Sequence, residues 1–288
     1  MCDSDSHQGY IADTSFTRRS VVLTMSSAAA VAGLPTAAFA ADVTEADVMV
    51  PTPDGSADAA MFHPAGSGSW PAVLMWPDIL GLRPVFRDMG RRLAAEGYVV
   101  LVPNPFYRTK RAPIVTGAFD FNDPKQRDSV MSLRSTLTDT GIDKDATAFI
   151  TFLDQQKQTN RRKGAGVQGY CFSGPFAFHT AAVRSDRIRA VGSFHGGGLV
   201  TKDASSPHLL IPKTKASFVV AIARNDDQKQ PDAKDTLKAT FAAARRPAVV
   251  EVYPADHGWC VPGSQSYDQP SAERAWAELL KLYRANLV

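Results

Sequence analysis

The chain has 288 residues, 44% hydrophobic and 21% charged, with a formal net charge of +3. This is ordinary globular composition, with enough apolar residues for one sizeable core. The basic clusters Arg161-Arg162-Lys163 and Arg245-Arg246 have no basic helix or aromatic ladder beside them, which argues against a nucleic-acid partner. The three cysteines, Cys2, Cys171 and Cys260, are too few for a disulfide scaffold. No CxxC, HExxH or EF-hand spacing occurs, so a protein-bound metal is not expected.

Residues 1–40 read as an address. Thr17-Arg18-Arg19-Ser20-Val21-Val22-Leu23 carries a twin arginine, an Ala-rich apolar stretch follows, and Ala38-Phe39-Ala40 fits a small-residue cleavage site. The stretch is too short and too small-residued for a good membrane span. The expectation is a twin-arginine type signal peptide over 1–40, cleaved after Ala40. The twin-arginine export machinery would then be a transport partner, and 41–288 a periplasmic domain.

Val43–Val50 and Asp58–Phe62 alternate as strands across the turn Pro53-Asp54-Gly55. The run 71–81 opens with unbroken apolar residues, as strands buried on both faces do. Residues 84–96 show helical spacing through Val85, Met89 and Leu93 and end at Gly97. A second buried strand begins at 98 and runs into a Pro-rich loop. Residues 125–159 read as two helices separated near Gly141. Strands then begin at 165, 188, 215 and 248, and helices cover 174–184, 231–245 and 270–286. Strand, loop and helix in this alternation predict one α/β domain with a mostly parallel, doubly wound sheet. Functional groups are then expected at the carboxyl ends of the strands.

Cys171 follows the strand at 165–169, Asp226 and Asp227 follow the strand at 215, and His257 follows the strand at 248. Nucleophile, acid, histidine is the chain order of α/β-hydrolase triads. The chemistry needs these types: a thiolate attacks, a histidine takes and returns its proton, and a carboxylate fixes the histidine tautomer. The stretch GYCFSG, 169–174, looks like a sharp strand-to-helix elbow, with Gly169 and Ser173 as small residues two places on either side of Cys171. Centred on Ser173 the pattern lacks a glycine at minus two. Cys171 is therefore the expected nucleophile, with Ser173 or a merely buried thiol as alternatives. Backbone N–H groups of Phe172 and Ile79 are the expected oxyanion hole. His195, before Gly196-Gly197-Gly198, is read either as a mouth residue touching substrate or as a structural histidine. Trp76, Phe106, Tyr107 and Trp259 either line a pocket or fill the core. Cys260 either approaches Cys171 or packs in the core.

With these residues in place, the chain resembles the dienelactone hydrolase family (carboxymethylenebutenolidases) over roughly 45 to 286. The marks are Gly169-Tyr170-Cys171, WPDILGL at 76–82, GYVVLVPNPFYR at 97–108, ARNDD at 223–227 and DHGW at 256–259. The resemblance implies a single α/β-hydrolase domain without cofactors, acting on a lactone or small ester through a cysteine thioester. It implies Cys171 as nucleophile, His257 as base and Asp226 as third member, with Asp227 the other candidate. It further implies Asp78 as the carboxylate that activates the thiol and Arg108 as a grip on a substrate carboxylate. A second gripping arginine is replaced by Val261, which points to a less acidic lactone or ester. A small-molecule substrate and a monomeric chain are the expected partner and state. A general carboxylesterase for larger apolar esters, or a non-catalytic exported binding or redox-responsive protein, are the other functional readings.

Overall fold

In the computed structural model the described residues are 42–287; the expected signal peptide lies outside them. Eight strands form one sheet: β1 Val43–Thr52, β2 Gly55–Pro64, β3 Ala72–Trp76, β4 Val99–Pro103, β5 Ala165–Tyr170, β6 Ile188–Phe194, β7 Ser217–Ala223 and β8 Ala248–Tyr253. Their order is β1-β2-β4-β3-β5-β6-β7-β8. The β1–β2 and β2–β4 pairs are antiparallel, and every pair from β4–β3 to β7–β8 is parallel. Strand order reverses between β3 and β5, so the crevice at their carboxyl ends is a topological switch point.

The helices are α1 Pro84–Ala95, α2 Pro124–Ser135, α3 Asp139–Gln155, α4 Gly174–Val183, α5 Arg224–Lys229, α6 Ala233–Ala243 and α7 Gln269–Asn286. Side chains alternate along β3. Val73 and Met75 join a core with Phe86 and Leu93 of α1 and Leu279 and Tyr283 of α7. Leu74 and Trp76 join the opposite core with Phe149 of α3, Phe178 of α4 and Phe241 of α6. Both faces are therefore covered, which is why β3, β4 and β5 read as apolar runs rather than as alternation. Among the described residues no helix is long and apolar enough to cross a membrane.

Two local expectations differ from the structure. The break between α2 and α3 falls before Thr138, not at Gly141. The Thr138 hydroxyl accepts the Gly141 amide at 3.1 Å, so Thr138 is the N-cap and Gly141 lies in the first helical turn. The segment after β7 is a short helix, α5, rather than a loop.

Arg108 is the other departure. Its guanidinium donates to both oxygens of Asp145, at 2.7 and 2.8 Å, and to Asp54 at 2.8 Å. The Tyr107 hydroxyl also donates to Asp145, at 2.8 Å. This network ties α3 to the β1–β2 turn. The Asp145 side chain is fully buried, and burial pushes its carboxyl above the usual range despite the bonds from Arg108 and Tyr107. The fork of Arg108 is filled by protein carboxylates, which corrects its expected role as a substrate grip. Arg108→Ala should strand a buried carboxylate and lower stability by about 3–5 kcal/mol in urea denaturation at neutral pH. Arg108 holds the Asp145 carboxyl down against the effect of burial, so its loss raises that carboxyl further, and the deficit should be smaller in mildly acid buffer than at neutral pH. An equal deficit at both pH values would contradict this account of Arg108.

Candidate active site

Cys171 directly follows β5 with φ of 58°, in the left-handed region that non-glycine residues rarely adopt. Such a conformation costs about 1–3 kcal/mol and persists only where the surroundings impose it. Here they do. A Cβ at Gly169 would stand 2.1 Å from the carbonyl oxygen of Ser173. The Ser173 hydroxyl accepts the Tyr170 amide at 2.9 Å and lies within donating distance of the Tyr170 and Trp76 carbonyls. Ser173 is thus a buried brace of the turn, one atom layer from β3, and not a nucleophile. A Cβ at Gly174 would stand 2.5 Å from the Gly196 Cα, so the start of α4 lies against the glycine segment after β6. Pro175 fits the first turn of α4, where its missing N–H is no loss. The positive end of α4 therefore begins three residues after the sulfur and favours the thiolate.

The loop after β8 brings His257 to this sulfur. Its Nε2 is 3.1 Å from the Cys171 Sγ, and its Nδ1 is 2.6 Å from Oδ2 of Asp226. With the Asp226 carboxylate as acceptor, the Nδ1 would carry the proton and Nε2 would turn its lone pair to the thiol. Asp226 sits in the first turn of α5. The residue immediately before it matters as well: the Asn225 side-chain oxygen accepts the His257 amide at 2.8 Å, fixing the histidine backbone. Asp227 instead accepts Lys234 at 2.8 and 3.1 Å, so of the two aspartates it is Asp226 that meets the histidine. Cys171 is fully buried and His257 nearly so.

Asp78, after β3, is fully buried and is held by Arg83 through two bonds of 2.6 and 2.9 Å. It also accepts the Leu80 amide at 3.0 Å. The carboxylate expected to activate the thiol therefore stands in a near-neutral pair. Arg83 was invisible as its partner from the motif alone, although it lies five residues on, at the start of α1. The β3–β5 register, Trp76 beside Gly169, places the loop carrying Asp78 and Ile79 next to the elbow.

Several expected lining residues are core instead. The Trp76 Nε1–H donates to Thr180 at 3.1 Å, and its ring packs on Phe149 and Phe176. Trp259 is fully buried and stacks on Tyr253 at 4.6 Å. His195 is not a mouth residue. It is fully buried, with its ring 4.9 Å from that of His257. Phe106 stacks on Phe172 at 5.8 Å, and Tyr107 is held by Asp145. Cys171 and Cys260 are both free thiols. Cys260 lines a small cleft with Met89, Arg92 and Trp276, and burial pushes its thiol well above the ordinary range. Val261 is buried. Among the described residues no cluster of His, Cys, Asp and Glu is arranged to hold a metal ion.

Two cavities of about 280 Å³ each open beside the elbow. One reaches Phe172 and Pro175; the other reaches His257 and Asp226. They share Gly197 and Gly198, so the glycine segment is the wall between them.

The sequence model described as "Dienelactone hydrolase family" matches residues 57–287. The chain belongs to the dienelactone hydrolase family. A Methylorubrum extorquens protein provisionally named carboxymethylenebutenolidase is 27% identical over 291 residues, covering 95% of this chain and 94% of the relative. The carboxymethylenebutenolidase of Rhodococcus opacus is 27% identical over 188 residues, covering 65% of this chain and 69% of its own. A crystal structure of a provisionally named dienelactone hydrolase from Klebsiella pneumoniae superposes with a TM-score of 0.73 at 22% identity, covering 84% of this chain and 99% of that one. The fold is thus the α/β-hydrolase fold of this family, and the chain is a dienelactone hydrolase-like hydrolase.

The elbow makes a sharp forecast. Gly169→Ala would force backbone atoms apart and should cost about 3 kcal/mol or more, read by urea denaturation. Ser173→Ala removes one buried partner and should cost about 1–3 kcal/mol while leaving the rate of Cys171 alkylation unchanged. If Gly169→Ala were as stable as wild type, the turn would not be the constrained elbow described.

Proposed function

We propose that this hydrolase opens a lactone or cleaves a small carboxylic ester through a thioester on Cys171. The observation that carries the reading is the continuous line Sγ–Nε2–Nδ1–Oδ2, with contacts of 3.1 and 2.6 Å. Nε2 of His257 takes the thiol proton as sulfur attacks the carbonyl carbon. Asp226 holds the imidazole in the required tautomer and stabilises the imidazolium that forms. The oxyanion is received by the backbone N–H groups of Phe172 and Ile79. Collapse breaks the carbon–oxygen bond, and the Nε2 proton passes to the departing alkoxide. In the second half, His257 takes a proton from water, hydroxide adds to the thioester, and the thiolate leaves. The released carboxylic acid and the regenerated thiol close the cycle.

The pairing of Asp78 with Arg83 gives a reason for the thiol to depend chiefly on His257 and the α4 terminus. Any larger part for Asp78 requires Arg83 to let go of it.

Cys171→Ala should lower kcat/KM on an activated ester by roughly 10³-fold or more, and Asp226→Asn by roughly 10²–10⁴-fold. Asp227→Asn should stay within about twofold, since its carboxylate faces Lys234. Full activity of Cys171→Ala, on esters and lactones alike, would end the thioester reading.

A further inference from the structure

The protein is basic as a whole, at +3, yet its two elbow cavities are not. The cavity reaching Phe172 carries Asp139 and Asp203 against a single arginine, Arg134. Its histidine, His179, already faces Asp143 at 2.8 Å and Asp139 at 3.8 Å. The cavity reaching His257 holds Asp226 and Asp227 against Lys229 and Lys234, with Lys234 bonded to Asp227. Two further cations are engaged elsewhere: Arg108 by Asp145 and Asp54, and Arg83 by Asp78. An anionic acyl group would therefore meet surplus carboxylate at the Phe172 end.

Which end receives the acyl group follows from the proton path, and this step rests on the thioester reading above. The leaving oxygen takes its proton from Nε2, so the leaving part lies on the His257 side. The acyl part then extends across the elbow towards Phe172 and the first cavity. We propose that Asp139 and Asp203 are specificity-determining residues that turn away carboxylate-bearing acyl groups, so that the site takes an uncharged, hydroxyl-bearing lactone or ester. The repulsion is the discriminating element. The same carboxylates accept hydrogen bonds from substrate hydroxyls, as Asp203 accepts the Thr201 hydroxyl at 3.1 Å. Asp139 is 58% exposed, so water and salt screen its field and the effect is modest.

The test uses the full chain and the double variant Asp139→Asn/Asp203→Asn. The substrates are the mono-4-nitrophenyl ester of adipic acid, which is an anion, and its neutral methyl diester. Wild type should favour the neutral diester. In the variant, the anion-to-neutral ratio of kcat/KM should rise about two- to fivefold at low salt, with the gain shrinking at high salt. A ratio unchanged by the variant, or a gain insensitive to salt, would overturn the proposal. A second readout needs no turnover: the ratio of iodoacetate to iodoacetamide alkylation rates at Cys171, followed by peptide mass, should rise in the same variant. If no ester is hydrolysed but this ratio rises, the thioester reading fails and the charge filter stands. If esters are hydrolysed but both ratios stay flat, the filter fails and the thioester reading stands.

Discussion

The site depends on one backbone constraint, the left-handed Cys171 between β5 and α4. A β-strand and a helix joined with no intervening loop must turn within a residue or two, and the turn leaves no room for side chains at its flanks. Gly169 faces the Ser173 carbonyl, Gly174 faces Gly196, and the Ser173 hydroxyl bridges back to Tyr170 and Trp76. Packing in the centre of the sheet, with β3 on one side and β6 on the other, holds this geometry. The cost of the strained residue is thereby spread over two strands and a helix. In return the sulfur stands at the switch point, where the loops after β3, β7 and β8 converge.

Electrostatics divides the molecule into parts that hold the fold and parts that serve the site. Arg108 and Asp145 fasten α3 to the opening hairpin, and Arg83 neutralises Asp78 in the loop after β3. Neither pair is left as an open charge facing a substrate. What remains beside the sulfur is a histidine oriented by Asp226 and anchored through its backbone by Asn225. In the proposed mechanism, a buried thiol next to an oriented imidazole and a helix N-terminus has its proton-transfer partner in place before any ligand arrives. The glycine segment 196–198 separates the two cavities without side chains of its own, so the wall over the elbow is thin.

Much of this was legible in the sequence, because strands buried on both faces and helices with one apolar stripe leave strong periodic signals. The order Cys171, Asp226, His257 after the ends of β5, β7 and β8 was sufficient to bring three distant residues together, since a parallel sheet places all its carboxyl ends on one edge. The errors share a cause. Trp76, Trp259 and His195 lie beside the motifs, but adjacency in sequence does not say which face of the sheet a side chain takes. Arg108 matched a motif position, yet its partner Asp145 lies 37 residues on, and no local signal announced that pair. Arg83 and Asn225 were missed for the same reason: each acts through a contact that exists only once the loops have closed. The α2–α3 break was misplaced because a glycine was read as a terminator while the capping threonine three residues earlier set the helix start.

A thioester route requires that Cys171 become acylated during turnover. Rapid acid quenching of the reaction with an activated ester, followed by mass spectrometry of the peptide containing Cys171, tests it directly. The expected result is the acyl mass on Cys171 within the first turnover, released by neutral hydroxylamine as a thioester should be. Turnover with Cys171 unmodified at every quench time, or the acyl mass on another residue, would contradict it.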